Sequence, residues 1–386
     1  MKILTFADFH LGVKTHGKMD FNTGLNIREI QTLKVLDEMI DYAIENKIPV
    51  IIAAGDMYKN NIPSPTLQDE FNKRIKRAAF NGIKVLMLDG NHDVGKMDNS
   101  KSAMKTFETL EVDNVICTKY HKEIIETIDN QTIKFVFLPT YHTREEIEKI
   151  VENTDTKTHP TIFIGHLTVI GAMLNDWLVE QKEIYIDVNT FDKEGILAVV
   201  LGHLHKHQIL HREPFVYYTG STQRIDFNEE NQPKGFVLLD IDDDYNLTHE
   251  FIEVNSQRFL TIKEDLSVMG ELVESSFDGT NVIIQKLEDK KEKIKDAIIR
   301  IQIELDETTQ INEKEIYKKA YDLGAFNVLT IQKTYNFERR VRNKELTEHI
   351  SIERGLELHY KGKKRSEERI RIGKEIIKEV EKLNNM

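Results

Sequence analysis

Cysteine is nearly absent from this sequence, with Cys117 the single example in 386 residues. One cysteine cannot form an internal disulfide, and it excludes a zinc site made of several thiolates. Long apolar runs are also missing, because the longest, such as residues 196–201, are far shorter than the roughly 20 residues that a membrane-spanning helix needs. The amino terminus shows no basic region, apolar stretch or cleavage site of a secretory signal. These absences predict a cytoplasmic protein in which His, Asp and Asn would supply any metal ligands.

Positive charge is scarce as well, since the net charge is −12. Proteins that coat nucleic acid by electrostatics alone need clustered Lys and Arg, so the sequence argues against that class. The charge is unevenly distributed: residues 333–386 contain 15 Lys and Arg, 10 Glu and no Asp, which leaves about −17 for residues 1–332. The carboxyl-terminal segment therefore differs in kind from the rest of the chain.

Short apolar runs alternate with helical patterns through residues 1–254. This alternation predicts an α/β domain in which two stacked mixed β-sheets are flanked by helices. Apolar residues at spacings of three and four predict amphipathic helices at residues 28–46 and 66–81. The predicted strands cover residues 3–7, 50–54, 85–88, 135–138, 161–164, 197–201, 215–218 and 236–239.

The pattern changes at residue 255. Predicted strands at residues 259–262, 299–305 and 328–333, with a helix at 313–323, indicate a small α+β domain at residues 255–335. Residues 336–386 are charged and predicted to be helical, with an apolar stripe of Ile372, Ile376, Val380 and Leu383. The stripe is compatible with packing on its own chain, with dimerisation or with binding of a partner. The basic run at residues 361–365 either touches DNA or is a solvated linker.

Five polar motifs stand where predicted strands end. In α/β sheets, ligands bind outside the carboxyl ends of the strands, so motifs that are far apart in the sequence can converge on one pocket. Each motif alone is weak evidence for a metal site, but all five in this arrangement are hard to explain as turns. Their members are Asp8 and His10, Asp56, Asn91 and His92, His166, and His203 and His205.

These residue types fit a pair of divalent cations. Asp8 and His10 are two residues apart and project to the same side of the chain, and a carboxylate such as Asp56 can bridge two ions. Mixed imidazole, carboxylate and amide ligands suit manganese, iron or zinc. Two such ions about 4 Å apart clamp a phosphate and lower the pKa of a water molecule. The motifs therefore predict hydrolysis of a phosphoester.

The motifs resemble those of the calcineurin-like metallophosphoesterase superfamily. The resemblance implies that Asp8, His10, Asp56 and His205 hold one ion, and that Asp56, Asn91, His166 and His203 hold the other. It also implies that His92 is catalytic, stabilising the transition state or protonating the leaving oxygen. The neighbouring Asp93 is left out of the ligand set, because an acid at that position can simply hold the turn.

Within the superfamily, the sequence is most similar to the recombination and repair nucleases that include SbcD and its phage counterparts. The similarity covers residues 1–250 and is carried by residues 11–12, 55–58, 62–65, 218–221, Arg224 and 235–236. It implies that residues 255–335 cap the active site and orient DNA, that the terminal helices bind an SbcC-type coiled-coil ATPase, and that nuclease subunits pair as a homodimer. Lys59 departs from the group, whose cellular members usually carry a histidine there, and a lysine could contact a DNA phosphate.

Three functions are compatible with these motifs. The favoured one is a manganese-dependent nuclease, an exonuclease on double-stranded DNA ends and an endonuclease on single-stranded DNA, within an SbcC/SbcD-type complex. The second is a phosphatase or cyclic-nucleotide phosphodiesterase, which would not need the long extension beyond residue 254. The third is a non-catalytic adaptor for the ATPase, which would not need an intact ligand set.

Some residues near the motifs have open or structural interpretations. Arg224 is predicted either to form a salt bridge under the sheet or to contact phosphate. The histidines outside the motifs are predicted to be solvated or structural; they include His16, His142, His207 and His211.

Overall fold

The computed structural model describes residues 1–95, 97, 100–128, 130–174, 177–178, 185–267, 277–306, 309–335, 351–360 and 366–384. The predicted basic run at 361–365 and the first part of the predicted tail, 336–350, lie outside the described residues. Within the described part of the chain, no helix is both long and apolar enough to cross a membrane.

The described strands are short and distributed along the chain. They are β1 (Lys2–Phe6), β2 (Val50–Ala54), β3 (Lys84–Leu88), β4 (Val115–Thr118), β5 (Lys122–Ile128), β6 (Gln131–Phe137), β7 (Thr161–His166), β8 (Thr168–Val169), β9 (Met173–Leu174), β10 (Trp177–Leu178), β11 (Tyr185–Ile186), β12 (Ile196–Gly202), β13 (Gln208–His211), β14 (Phe215–Tyr218), β15 (Gly235–Ile241), β16 (Leu247–Glu253), β17 (Arg258–Asp265), β18 (Ala297–Leu305), β19 (Asn327–Val328) and β20 (Gln332–Tyr335).

The described helices range from one turn to five turns. They are α1 (Ile27–Glu45), α2 (Pro65–Phe80), α3 (Lys105–Thr109), α4 (Arg144–Asn153), α5 (Thr280–Asp289), α6 (Lys291–Ile294), α7 (Glu313–Asp322), α8 (Ile352–Tyr360) and α9 (Ser366–Asn384). Two short 3-10 turns occur at Val188–Phe191 and Phe227–Glu229.

Two mixed six-stranded sheets form the centre of the α/β region, as predicted. The first has the order β16-β15-β1-β2-β3-β4, and the second has the order β13-β14-β12-β7-β6-β5. Apolar residues of both sheets form one buried cluster, which includes Ile52 and Leu86 of the first sheet and Phe135, Ile162 and Val200 of the second. The sheets are therefore stacked face to face.

Helices cover the outer faces of the two sheets. Leu33 and Leu36 of α1 and Phe71 of α2 pack with residues of the first sheet, and Ile147 and Val151 of α4 pack with residues of the second. Helix α1 begins at a capping box, in which Asn26 accepts a hydrogen bond from the helix and the Glu29 side chain accepts one from the Asn26 amide. This layered α/β architecture confirms the predicted fold class.

The strands predicted in residues 1–254 are the interior strands of the two six-stranded sheets. The strands that the sequence patterns missed include all four sheet edges, β4, β5, β13 and β16. These edges are largely exposed or half-buried, so their sequences lack the continuous apolar runs of strands that are covered on both faces.

One predicted strand, at residues 328–333, is wrong. The structure has two short strands there, β19 and β20. Between them, the Tyr317 hydroxyl of α7 donates a hydrogen bond to the Leu329 carbonyl at 3.3 Å and accepts one from the Ile331 amide at 3.1 Å. The segment therefore bonds to a helix side chain where a continuous strand would bond to a neighbouring strand.

The chain divides into two compact units. The larger contains residues 1–264, 280–302 and 311–332, and the smaller contains the described parts of 265–279, 303–310 and 333–386. The larger unit contains β19 and most of β17 and β18, which follow one another in the order β17-β18-β19 in a further sheet. In the smaller unit, α8 and α9 pack against each other. The domain borders expected at residues 254 and 335 stay predictions.

Candidate metal centre

The backbone is strained where the polar motifs leave their strands. Asp8, His10, Asp56 and His203 all adopt positive φ angles, of 50°, 47°, 56° and 96°. Left-handed backbone costs a residue with a side chain on the order of 1–3 kcal/mol and persists only where the surroundings fix it. Here the loops fix one another, because the Asp8 amide donates to the Gly55 carbonyl at 3.0 Å and the His10 amide donates to the Asp56 carbonyl at 2.9 Å.

A glycine allows two of these loops to approach closely. A Cβ atom at Gly90 would lie 2.1 Å from Oδ1 of Asp56 and 2.3 Å from its amide nitrogen. Any side chain at position 90 would therefore push the loop that carries Asn91 and His92 away from Asp56.

Asp56 lies at the centre of the converging side chains. Its Oδ2 is 3.3 Å from Nε2 of His166, 3.6 Å from Nε2 of His10 and 4.0 Å from Nε2 of His92. Asp8, His10, Asp56 and His166 are each at most 4% exposed. A buried carboxylate among several imidazoles is in the position expected of a ligand shared by two ions.

Hydrogen bonds on the far side of three imidazoles determine which nitrogen faces the centre. Nδ1 of His166 lies 2.9 Å from the Ala54 carbonyl, and Nδ1 of His92 lies 3.0 Å from the Lys59 carbonyl. Nδ1 of His205 lies 2.7 Å from the Glu229 carboxylate. A carbonyl or carboxylate oxygen only accepts, so Nδ1 carries the proton in each ring. In the neutral rings, the Nε2 lone pairs then point toward the centre.

Several acceptor atoms therefore face one another. Nε2 of His166 is 3.1 Å from Oδ1 of Asn91, and Nε2 of His10 is 3.0 Å from Nε2 of His205. Nδ1 of His10 is buried without a hydrogen-bond partner among the described residues. Lone pairs at such distances repel unless a proton or a cation lies between them. This donor set fits divalent metal ions.

The electrostatics of the centre favour positive charge. Burial by itself lowers the pKa of His166, but the Asp56 carboxylate outweighs burial and raises this pKa to about 9. Burial by itself raises the pKa of Asp56, but His166 and His10 outweigh it and hold this pKa below its usual value. A second carboxylate, Asp8, is also buried here, so the site concentrates negative charge that a cation would neutralise.

All seven predicted ligand residues, together with His92, lie in one cluster. Asp8, His10 and His205 offer ligand atoms within 4.8 Å of one another, as do Asp8, Asp56 and His166, and also His10, Asp56 and His92. Asn91 joins the cluster through His166, and the His203 amide donates to both oxygens of Asp8, at 3.0 and 3.1 Å. The role of each residue as a ligand stays a prediction.

The Asp93 carboxylate binds backbone amides, which agrees with its omission from the predicted ligand set. Its carboxylate accepts hydrogen bonds from the amides of Met57 at 3.0 Å, Tyr58 at 2.8 Å and Gly90 at 2.8 Å. These bonds tie the loop that carries Asp56 to the loop that carries Asn91 and His92.

A shallow groove of about 300 Å³ opens beside His92. The His92 side chain is 37% exposed, in contrast to the buried residues beneath it. The polar side chains that line the groove are Lys59, Asn60, Asn61, Asn91, His92 and Tyr141.

Arg224 has a structural role rather than a salt bridge. Its guanidinium donates to Oγ of Ser256 at 2.7 Å and to the carbonyls of Gln232 and Glu230 at 2.8 and 3.3 Å. Among the predicted bystanders, His207 stacks on Phe251 with ring centroids 4.4 Å apart, and its Nδ1 bonds the Tyr218 carbonyl.

The sequence patterns missed Glu229 and Lys234. Glu229 contacts His205 directly and lies in the 3-10 turn Phe227–Glu229. Lys234 is buried beside it, with its Nζ 2.8 Å from Oε2 of Glu229. Neither residue belongs to a recognisable motif, since each lies more than 20 residues beyond His205 in the sequence.

This chain is similar to known phosphoesterases and nuclease components. A family model described as calcineurin-like phosphoesterase matches residues 1–207. The chain is 27% identical over 292 residues to the SbcD component of the nuclease SbcCD from Staphylococcus epidermidis, covering 68% of this chain and 72% of that protein. It is 28% identical over 289 residues to the same component from Staphylococcus saprophyticus, with coverage of 68% and 72%. A solved dimetal phosphatase from Danio rerio is 9% identical, with a TM-score of 0.43 over 66% of this chain and 96% of that one.

Proposed function

This chain belongs to the calcineurin-like phosphoesterase family and is a phosphodiester hydrolase, and from that premise we propose that it is a metal-dependent DNA nuclease. The observation that carries the proposal is the cluster of buried carboxylates and Nε2 lone pairs around Asp56. Relatives named as nuclease components, which match along 68% of this chain, support a nucleic acid as the substrate.

We assign the ligands of two divalent ions from the imidazole, carboxylate and amide groups that converge around Asp56. Asp8, His10, Asp56 and His205 would hold one ion, and Asp56, Asn91, His166 and His203 would hold the other, with Asp56 shared. Manganese is the metal we favour, because imidazole, carboxylate and amide ligands all suit it. When bound, the two ions neutralise phosphate charge and lower the pKa of a water molecule.

His92 is assigned as the catalytic acid. Its Nδ1 is held by the Lys59 carbonyl at 3.0 Å, which leaves Nε2 directed toward Asp56 and the centre. An imidazole whose ring is fixed in this way donates a proton from Nε2 to the leaving oxygen of the ester when both ring nitrogens are protonated, that is, as the imidazolium. Its partial exposure allows the proton to be replaced from solvent between turnovers.

The groove beside His92 is assigned to the DNA backbone. Lys59 contributes a positive charge to this surface, and Asn60 and Asn61 contribute amide donors. These groups suit phosphate and sugar oxygens, which carry no sequence information. The proposed enzyme therefore acts without base specificity. Its resemblance to SbcD-type nucleases is the basis for proposing exonuclease activity at double-stranded ends and endonuclease activity in single strands.

The partner we propose is an SbcC-type coiled-coil ATPase, in an assembly that contains two copies of this chain and acts in repair and recombination. Its basis is the name of the relatives, which denotes one component of a nuclease built from different subunits. In α9, Ile372 and Ile376 are 44% and 54% exposed, so part of the predicted apolar stripe faces outward in the described structure. The side chains of Val380 and Leu383 lie outside the described residues.

Cleavage of labelled linear double-stranded DNA and of single-stranded DNA, with manganese and with chelator, tests the nuclease proposal. Manganese-dependent cutting that is lost in Asp56→Asn is expected. Hydrolysis of a chromogenic phosphodiester alone, with DNA untouched even when the ATPase is added, would favour the phosphodiesterase alternative. Bound manganese without hydrolysis of any ester would favour an adaptor.

A further inference from the structure

The ring of His205, a proposed ligand, is oriented by the carboxylate of Glu229. Nδ1 of His205 lies 2.7 Å from Oε1 of Glu229, and its Nε2 lies 3.0 Å from Nε2 of His10. By contrast, His166 and His92 are oriented by backbone carbonyls. A carboxylate partner increases the basicity of an imidazole more than a carbonyl does, and it fixes the same tautomer.

Glu229 is held in place from the side opposite His205. Its Oε2 accepts a hydrogen bond from the Ile225 amide at 3.1 Å and lies 2.8 Å from Nζ of Lys234. The Glu229 side chain is 5% exposed. With both oxygens occupied, the carboxylate has one well-defined orientation toward His205.

Lys234 is an unusual buried cation, because its side chain is completely inaccessible to solvent. Besides Glu229, its Nζ lies 2.7 Å from Oγ of Ser221, 3.0 Å from Oε1 of Gln232 and 3.1 Å from the His205 carbonyl, so four acceptors share its three N–H groups. A buried ammonium is tolerated only when it is paired and hydrogen-bonded, as it is here. Lys234 therefore neutralises Glu229 and also contacts the backbone carbonyl of His205, whose ring Glu229 orients.

The turn that carries Glu229 is itself anchored. The Arg300 guanidinium carbon lies over the Phe227 ring, 4.3 Å from the ring centroid. The Phe227 ring also packs edge-on against Phe259, with ring centroids 4.9 Å apart. The next residue, Glu230, accepts a hydrogen bond from the Thr261 amide at 2.8 Å. The position of Glu229 is therefore set by residues of β17 and β18 as well as by Lys234.

We propose that Glu229 is a positioning residue for the metal centre, which presents Nε2 of His205 to one divalent ion, with Lys234 as the buried counter-ion that makes a carboxylate tolerable there. The proposal rests on the proposed two-metal function. Glu229 touches neither ion nor substrate in this assignment and acts only through His205.

The test is a calorimetric titration of the metal-free protein with Mn²⁺. It is carried out on wild type, Glu229→Gln and Glu229→Ala. We expect the affinity of one of two sites to fall roughly 10-fold in Glu229→Gln and about 100-fold in Glu229→Ala, the range found for partners of metal-binding histidines. The other site should keep its affinity. Excess Mn²⁺ should restore kcat in both variants, while KM for DNA stays unchanged.

Glu230→Gln is the matched control, because it removes the adjacent negative charge, which does not touch His205, while the glutamine amide oxygen can still accept the hydrogen bond from the Thr261 amide that anchors the turn. It should bind Mn²⁺ as wild type does. Unchanged Mn²⁺ affinity at both sites in a folded Glu229→Gln or Glu229→Ala protein would overturn the proposal and leave Glu229 with a purely structural role. If wild type itself fails to bind two Mn²⁺ ions, the proposed function fails first.

Lys234 is tested by a double-mutant cycle on metal-free protein. Lys234→Met leaves the Glu229 carboxylate buried without its cation, whereas Glu229→Gln with Lys234→Met removes both charges. We expect the double variant to have a higher melting temperature than Lys234→Met alone. Equal or lower stability of the double variant would contradict the counter-ion role.

Discussion

The floor and the rim of the metal centre differ in how far their side chains reach solvent. On the floor, Asp8, His10, Asp56 and His166 are almost completely buried. On the rim, the side chain of His92 is 37% exposed and Tyr141 is equally exposed. The floor groups are held by one another and by backbone, while the rim groups line an open groove.

This difference assigns metal binding to the floor and contact with the polymer substrate to the rim, although the two lie within a few ångströms of each other. Buried, fixed ligands keep a constant geometry for cations, because the surrounding loops leave them little freedom. Exposed groups on the rim can contact a polymer that enters from solvent. Substitutions on the floor should therefore affect metal binding first, and substitutions on the rim should affect catalysis or DNA binding with the metals retained.

Asp56→Asn should have the largest effect, because Asp56 is the shared group on the floor. We expect hydrolysis to fall by about 10³-fold or more, corresponding to the several kcal/mol that bound ions contribute to the transition state. Metal analysis should show reduced occupancy of both sites. An Asp56→Asn protein that keeps two Mn²⁺ ions and full activity would show that the buried floor does not determine metal binding, and would contradict the distinction between floor and rim.

Asp93→Ala tests whether the floor depends on backbone clamping. The substitution leaves three amides without their acceptor, so the free energy of unfolding should fall by about 3 kcal/mol. Urea denaturation in chelator measures this value without a contribution from bound metal. The exposed Asp113→Ala serves as control and should change stability by less than about 0.5 kcal/mol.

His92→Gln tests the rim. Loss of a proton donor should reduce kcat roughly 100-fold, at the lower end of the range for general acid catalysis. Mn²⁺ stoichiometry should stay that of wild type, as measured by metal analysis of the same preparation. Because Nε2 of His92 also lies 4.0 Å from Asp56, loss of one ion in this variant would instead identify His92 as a ligand.

Lys59→Gln should have the smallest effect. Removing one phosphate contact should raise KM for DNA a few-fold and reduce the slope of log affinity against log salt by about 1. Hydrolysis of a small chromogenic diester should not change. The control is Lys157→Gln, which replaces an exposed lysine outside the groove. An equal salt slope for both variants would show that Lys59 does not contact DNA phosphate.

The sequence was sufficient to predict the interior strands of the fold and the residues that converge around Asp56, whose roles as ligands stay predictions. Strands that are covered on both faces carry continuous apolar runs, and the predicted positions of β2 and β14 match the structure residue for residue. Edge strands such as β5 alternate exposed and half-buried residues, which resemble loop sequence when read alone. The polar motifs were found because each directly follows one of the easily recognised strands.

Glu229 and Lys234 show why the remainder could not be predicted. A lysine is expected at the surface, and nothing local to Lys234 indicates that the fold buries it completely. Its neighbours Glu229, Ser221 and the His205 carbonyl come from separate turns that only the folded chain brings together. Arg224 illustrates the same limit, since it donates hydrogen bonds to Oγ of Ser256 and the Gln232 carbonyl, which were not among the partners that the sequence suggested.

The left-handed backbone at Asp8, His10, Asp56 and His203 has an evolutionary consequence. Glycine adopts these angles without strain, so a chain selected for stability alone would gain by replacing such residues with glycine. A descendant that no longer hydrolysed phosphoesters would be expected to lose the proposed metal ligands at these positions and to become more stable as it did so.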